Sequence, residues 1–282
     1  MDAETLFKQK FDTAETPLKV YCPYRIAPVG AHSDYQHGLI SGFAIDEGVT
    51  LAFLPTNDGT VKLYSANFDG AVEFSAYELA QRSYDWGDFA KAAYVSVKRK
   101  HRVEMGMIGV IHGSLPVGGL SSSAAVLISY ITAICKINGI SLTRAELIDF
   151  ALYAEHDYLE MNVGKMDQSC EVYSKKNHLL FLDTLTDEYK LIPQSEKMPP
   201  YEFAVIFSGK ERKLANTAFN SRVDEAKAAS FALRAFAGIP YGSFKDSYMR
   251  DVPKEIFDEY KNKIPSAWRR RCLLYTSPSP RD

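Results

Sequence analysis

Cysteine is scarce in this chain: Cys22, Cys135, Cys170 and Cys272 are the only four, and no two stand in a CxxC spacing. That excludes a cysteine-based metal or disulfide framework and reads as reduced thiols in a cytoplasmic protein. An excess of charge is missing too. Lys and Arg number 33 against 35 Asp and Glu, a formal net charge of −2, whereas a nucleic-acid binder would usually be strongly basic. No run of about 18 apolar residues occurs, which argues against a membrane-spanning helix. The opening MDAETLFKQKFD is acidic and amphipathic, without the basic and apolar regions of a signal peptide. No internal repeat or long low-complexity tract is present. What remains is ordinary for a folded protein: 46% apolar and 24% charged residues in 282. That length accommodates about two domains.

The pattern is α+β. Short β-branched and aromatic runs at 20–21, 39–45, 50–54, 61–65 and 72–75 read as strands, with a Pro/Gly-containing loop over 23–38. Residues 84–100 read as a helix and 109–111 as a strand. Leu127, Ile128, Ile131, Ile134 and Cys135 then fall at helical spacing on one apolar face. Thr143 with Glu146 three residues later is a capping box, opening a helix that ends near Glu155. A hairpin is expected over 179–183 and 188–192, a buried strand over 203–207, and an Ala-rich helix over 222–236.

Three segments carry chemistry. The first is SLPVGGLSSSAA (114–125), adjacent glycines and three serines before an apolar helix. Such a loop presents free backbone N–H groups at a helix N-terminus, where the dipole favours an anion. It is not a Walker A loop, because no Lys-Ser/Thr follows the glycines; an ordinary Gly/Ser turn with a serine cap is the plainer alternative. The second is YRIAPVGAHSDYQHG (24–38), whose polar side chains suit a polyhydroxylated ligand, though in isolation it also reads as a solvated loop. The third is GKMDQ (164–168), with Glu155 upstream. A Glu and an Asp converging on one site suit phosphoryl transfer, one holding Mg²⁺ and the other facing the acceptor hydroxyl.

In this order the three segments resemble the GHMP small-molecule kinases, their galactokinase branch, and most closely the galacturonokinase-type members. AEHDYLEMNVGKMDQ (154–168) and the Trp-containing stretch 86–95 resemble the same branch. The resemblance implies a two-domain GHMP kinase fold. Residues 1–195 would form a ribosomal protein S5 domain 2-like N-terminal domain, and 196–271 part of a ferredoxin-like C-terminal domain. It implies ATP and Mg²⁺, a small sugar substrate, and neither nucleic acid nor membrane as partner. Asp167 matches the catalytic carboxylate and Arg25 the arginine beside it. Pro116, Gly118, Gly119, Leu120, Ser121, Ser122, Ser123 and Ala124 match the phosphate cradle. Ser123 and Glu155 match the Mg²⁺ ligands, and His32, Asp34 and Gly164 match sugar contacts.

Two positions depart from the galactokinase pattern. Ala31 stands where galactokinases have a Glu that contacts the sugar's C6 hydroxyl, and Phe219 where they have a substrate-contacting Tyr. Losing a carboxylate beside C6 removes like-charge repulsion against a sugar acid. The expected reaction is therefore transfer of the γ-phosphoryl group of ATP to the anomeric hydroxyl of D-galacturonate. The alternatives are D-galactose as substrate, and a non-catalytic sugar and ATP sensor of the same fold. A homoserine or mevalonate kinase fits the AHSDY and MDQ elements poorly. The family's third, Gly-rich motif is missing, so a chain of this length is expected to be poorly soluble and of low activity. Residues 272–282, CLLYTSPSPRD, back-translate in all eleven codons to the transposase adapter of short-read libraries and are read as foreign to the natural sequence.

Overall fold

The computed structural model of the protein describes residues 2–78, 81–116, 119–206 and 219–276. Its β-branched and aromatic segments pair into a seven-stranded sheet. Strand β1 (Leu18–Val29) runs antiparallel to β2 (Leu39–Thr56), from Leu18 opposite Phe53 to Val29 opposite Ser41. The expected loop over 23–38 is thus strand as far as Val29. Register shifts after Pro23 and after Ile26 let the prolines sit in the strand, since a bulge spares a missing N–H. The expected pair of strands 39–45 and 50–54 is one continuous β2. The turn-like Asp46-Glu47-Gly48 does not break it because Gly48 packs against the β1 backbone at Cys22 and Pro23, where a Cβ would meet Pro23 Cα at 2.8 Å.

The remaining strands are β3 (Thr60–Ser65), β4 (Ala71–Ser75), β5 (Gly106–Gly113), β6 (His178–Asp183) and β7 (Tyr189–Pro193). The order is β4-β3-β5-β2-β6-β7, with β1 along β2. Pairing is antiparallel except between β3 and β5.

Period-two alternation gives the sheet two apolar faces. Ala52 and Val110 pack on Phe7 of α1 (Ala3–Phe11). Leu51, Phe53 and Ile111 face the other way, into the main core beneath α2 (Asp88–Lys98), α3 (Ser122–Ile137) and α4 (Arg144–Tyr153). Tyr130, Ile131, Ile134 and Phe150 fill that core and are fully buried. The helix expected from residue 84 begins at Asp88. The Thr143/Glu146 capping box is formed, with Glu146 N donating to Thr143 Oγ1 at 3.2 Å and Thr143 N to Glu146 Oε2 at 2.8 Å. At Ala154–Tyr158, α4 widens into a π-helical turn, a distortion common at functional sites. Helix α5 (Met166–Tyr173) follows.

A second, smaller core joins α6 (Phe219–Phe236), α7 (Lys254–Tyr260) and α8 (Ser266–Thr276) through Leu233, Met249, Phe257, Ile264 and Cys272. Helix α6 begins three residues before the expected 222. The strand expected over 203–207 does not form: 203–206 carry no regular structure, and Phe207 lies outside the described residues. Helix α8 continues past Arg271, into the stretch read as foreign, and buries Cys272; residues 277–282 lie outside the description.

Candidate active site

The site gathers where β1, the entry to α3, the π turn and α5 meet. The loop after β5 is tied to β2 by Ser114, whose N–H donates to Gly48 O and whose Oγ accepts from Gly48 N, both at 3.0 Å. Gly119 and Ser121 both take left-handed backbone angles, φ +69° and +67°, to turn the chain into α3. Ser121 caps that helix without a side-chain capping bond. The N-terminus of α3 carries the unpaired donors and dipole of an anion site. Of the expected phosphate-cradle residues, Pro116, Gly119, Leu120, Ser121, Ser122, Ser123 and Ala124 line this turn; Gly118 lies outside the described residues.

Arg25 joins this loop to α5. Its Nε and Nη2 reach Asp167 Oδ1 at 2.7 and 2.6 Å, and its Nη1 donates to Gly119 O at 3.2 Å. Its own N–H reaches Leu120 O at 3.4 Å. The guanidinium stays firmly charged because the Asp167 carboxylate overcomes the opposing effect of burial. Around this pair stand three further carboxyl groups. Burial, reinforced by the Asp167 charge, raises Asp34 to about 7 and Glu155 to about 8, and holds Glu171 well above the carboxylate range. Groups whose protonation is so displaced concentrate at functional sites.

Glu155 is buried on the π turn, accepts a short hydrogen bond from Gln168 Nε2, and is met by the Ser123 hydroxyl. Gln168 Oε1 is solvent-excluded with no hydrogen-bond partner. Among the described residues no group of three or more His, Cys, Asp and Glu side chains converges as a metal cage. A serine, one carboxylate and an orphaned amide oxygen nonetheless fit Mg²⁺, which takes few protein ligands and completes its shell with water and phosphate.

The expected sugar loop is a tight turn held from inside. Ser33 Oγ donates to Gly30 O at 2.8 Å and Leu39 O at 3.1 Å. Gly30, at φ +101°, has Ile40 Cα 2.7 Å from where a Cβ would stand. Asp34 points at the start of α5 and accepts from Met166 N at 3.4 Å. Gly164 makes this approach possible: a Cβ there would collide with the Asp34 carboxylate and lie 2.6 Å from Tyr35 N. His32 and Phe219 have ring centres 6.0 Å apart, and Tyr35 lies edge-on to Phe219 at 5.7 Å. Asn220 fixes the start of α6, accepting from Asn162 N at 3.0 Å and donating to Glu160 O at 2.8 Å. The structure thus brings Arg25, His32, Asp34, Glu155, Gly164, Asp167 and Phe219 to one region, while Ala31 stands exposed at its edge.

Sequence reasoning missed two buried contributors on α5. Gln168 belongs to the GKMDQ motif but had no role assigned. Glu171 gave one faint signal, a position four residues after Asp167 and so on the same helical side.

A model of the GHMP kinases N-terminal domain matches residues 88–175. The chain is 30% identical over 283 residues to the galacturonokinase of Arabidopsis thaliana, covering 93% of this chain and 66% of that protein. It is 29% identical over 254 residues to the galactokinase of Thermococcus kodakarensis, covering 90% of this chain and 67% of the relative. The crystal structure of Lactococcus lactis galactokinase complexed with galactose matches with a TM-score of 0.83 and 26% identity, over 95% of this chain and 69% of that one. The chain therefore spans about two thirds of the length of these relatives. With a matching family domain, alignment to sugar kinases over nine tenths of its own length and the same fold, it belongs to the GHMP kinases and is homologous to galacturonokinase and galactokinase.

Proposed function

We propose that the protein is an ATP-dependent sugar 1-kinase whose substrate is D-galacturonate. The observation that carries the reading is the Arg25 bridge, which binds Asp167 and the Gly119 carbonyl of the phosphate loop with one guanidinium. A cation between a carboxylate and an anion-binding loop is what in-line transfer to a hydroxyl requires.

Mg²⁺ and ATP, when bound, supply the γ-phosphoryl group and shield its charge. The first-turn donors of α3 and the Ser121–Ser123 segment hold the phosphates, and Ser123 with Glu155 takes the ion. Asp167 accepts the proton of the anomeric hydroxyl. As the O1–P bond forms and the bond from Pγ to the β,γ-bridging oxygen breaks, ADP leaves and Arg25 offsets the charge that develops. Positioning and fixed charge supply most of the acceleration. Asp34 and His32 orient the sugar, and Gly164 leaves room for the approach of Asp34.

Ala31 supports a sugar acid, because the edge of the site that meets C6 by family resemblance carries no carboxylate at that position. Arg222 adds a cation nearby, three residues along α6 from Phe219 and close enough to Tyr35 to act on its phenol. Residues 1–195 act as the N-terminal catalytic domain and 196–271 as part of a second one. No described helix is long and apolar enough to cross a membrane, and we place the ATP-consuming reaction in the cytoplasm.

The test is ADP release with D-galacturonate and D-galactose side by side. Faster turnover on galactose refutes the uronate reading. Binding of sugar and ATP without ADP release on either refutes the kinase and leaves a sensor.

A further inference from the structure

Glu171 is buried on α5, and its Oε1 is shielded from solvent with no hydrogen-bond partner. Its Oε2 accepts from the Cys22 thiol, with Sγ 3.9 Å away. Ser121 is also buried, its Oγ likewise without a completed hydrogen bond. The two face each other closely enough for the serine hydroxyl to act on the carboxyl. Ser121 is doubly odd: it holds a left-handed backbone, which non-glycine residues avoid, and it does not use its hydroxyl to cap α3. A buried carboxyl beside a misaligned hydroxyl is costly, and an apolar side chain would serve folding better. Groups that persist at such a cost tend to serve a site.

The charged and titratable groups around Glu171 come from every packed element: Cys22, Tyr24 and Arg25 on β1, Glu155 on the π turn, and Asp167 and Cys170 on α5. Burial first, then the Asp167 and Glu155 charges, outweigh Arg25 and the Ser121 hydroxyl, which pull the other way, so these surroundings favour an uncharged Glu171. A neutral carboxylic acid donates a hydrogen bond, which a carboxylate cannot.

Resting on the sugar-kinase reading, we propose that Glu171 is a positioning residue for phosphoryl transfer: its acid O–H donates to Ser121 Oγ and thereby aims the Ser121 hydroxyl at the transferring phosphate. The chain of donors runs from Glu171 through Ser121 to a phosphate oxygen. Each bond polarises the next, and the serine becomes a stronger, better-oriented donor where negative charge develops.

The test compares Glu171→Leu, Glu171→Gln and Ser121→Ala in the full-length protein by steady-state kinetics, thermal melting and calorimetric ATP binding. Glu171→Leu should melt at or above the wild-type temperature, because an apolar residue replaces an ill-satisfied buried acid. Its kcat should fall about 10- to 100-fold, with the sugar KM unchanged. Glu171→Gln keeps a donor toward Ser121 and should stay within about threefold of wild type. Ser121→Ala should cost as much as Glu171→Leu, and the double variant no more than either. A role in packing alone would not yield lost kcat, intact stability and rescue by Gln. Wild-type kcat in Glu171→Leu, impairment of Glu171→Gln equal to that of Leu, or additive losses in the double variant would each overturn the proposal. If Glu171→Leu fails to fold, Glu171→Gln against Ser121→Ala decides by the same criterion. Absence of sugar phosphate from the wild-type enzyme would instead refute the kinase reading itself.

Discussion

Asp167→Asn preserves the size of the side chain and an oxygen able to accept from Arg25. The two contacts at 2.7 and 2.6 Å both fall on Oδ1, so an amide oxygen can keep the Arg25 bridge and its hold on the phosphate loop. What disappears is the second oxygen's basicity, and with it the acceptor for the anomeric proton. A positioned base contributes about 10²- to 10⁴-fold, so kcat should drop about 10³-fold, about 4 kcal/mol of barrier. The lost charge has a second effect. Asp167 helps push Asp34, Glu155 and Glu171 upward, so these groups relax toward ordinary carboxylate values in the variant. Ionisation of these groups restores part of the negative charge removed at Asp167, so ATP affinity should hold. Coupled ADP-release kinetics and calorimetric ATP titration on the same preparation read both effects. Turnover within about tenfold of wild type, or parallel loss of turnover and ATP affinity, would refute the assignment of Asp167 as base.

Three further outcomes are expected. Ala31→Glu should lower kcat/KM for galacturonate about 10- to 100-fold while sparing galactose, because it sets like charges together; an equal loss on both sugars counts against the uronate reading. Gly164→Ala should force Asp34 from its place, raising the sugar KM by at least about tenfold with ATP affinity intact; an unchanged sugar KM removes Asp34 from the site. Stability without ligands should fall as pH rises from mildly acid to mildly alkaline. Asp34 and Glu155 move from ordinary values of 3.8 and 4.5 to about 7 and about 8 on folding, so the native state holds extra protons in between. Their stabilising contribution is complete below the unfolded values and is lost as pH passes the folded ones. A melting temperature flat from acid to alkaline pH, or a slope unaltered by Asp34→Asn, contradicts this.

Much of the site was legible because its signals are local. The Gly/Ser loop before an apolar helix, the capping box and the MDQ triplet each occupy a few consecutive residues; the helix after the loop, the box and the helix that carries the triplet all form. What was not legible depends on distant partners. Residues 46–49 separate two expected strands until Gly48 meets Pro23 across the sheet. Residues 203–206 have the composition of a buried strand but form none, because composition supplies no partner to pair with. Glu171 looks like a surface acid in sequence, since nothing nearby announces that Cys22 and Ser121, far apart in the chain, close over it.

The turn proposed to hold the sugar is tied to the small helical core. Gln36 Oε1 accepts from Met249 N at 2.9 Å, Arg250 reaches both His37 O and the Asp183 carboxylate, and the His37 and Tyr248 rings stack at 3.6 Å. On the proposed kinase reading these contacts couple sugar binding at the turn to the packing of that core, and such coupling is reciprocal. A sugar that stiffens the loop must tighten α6, α7 and α8 by the same free energy. On that reading, loosening those helices, by trimming Met249 for example, should weaken sugar binding by up to that coupling free energy, although Met249 is not among the proposed sugar contacts.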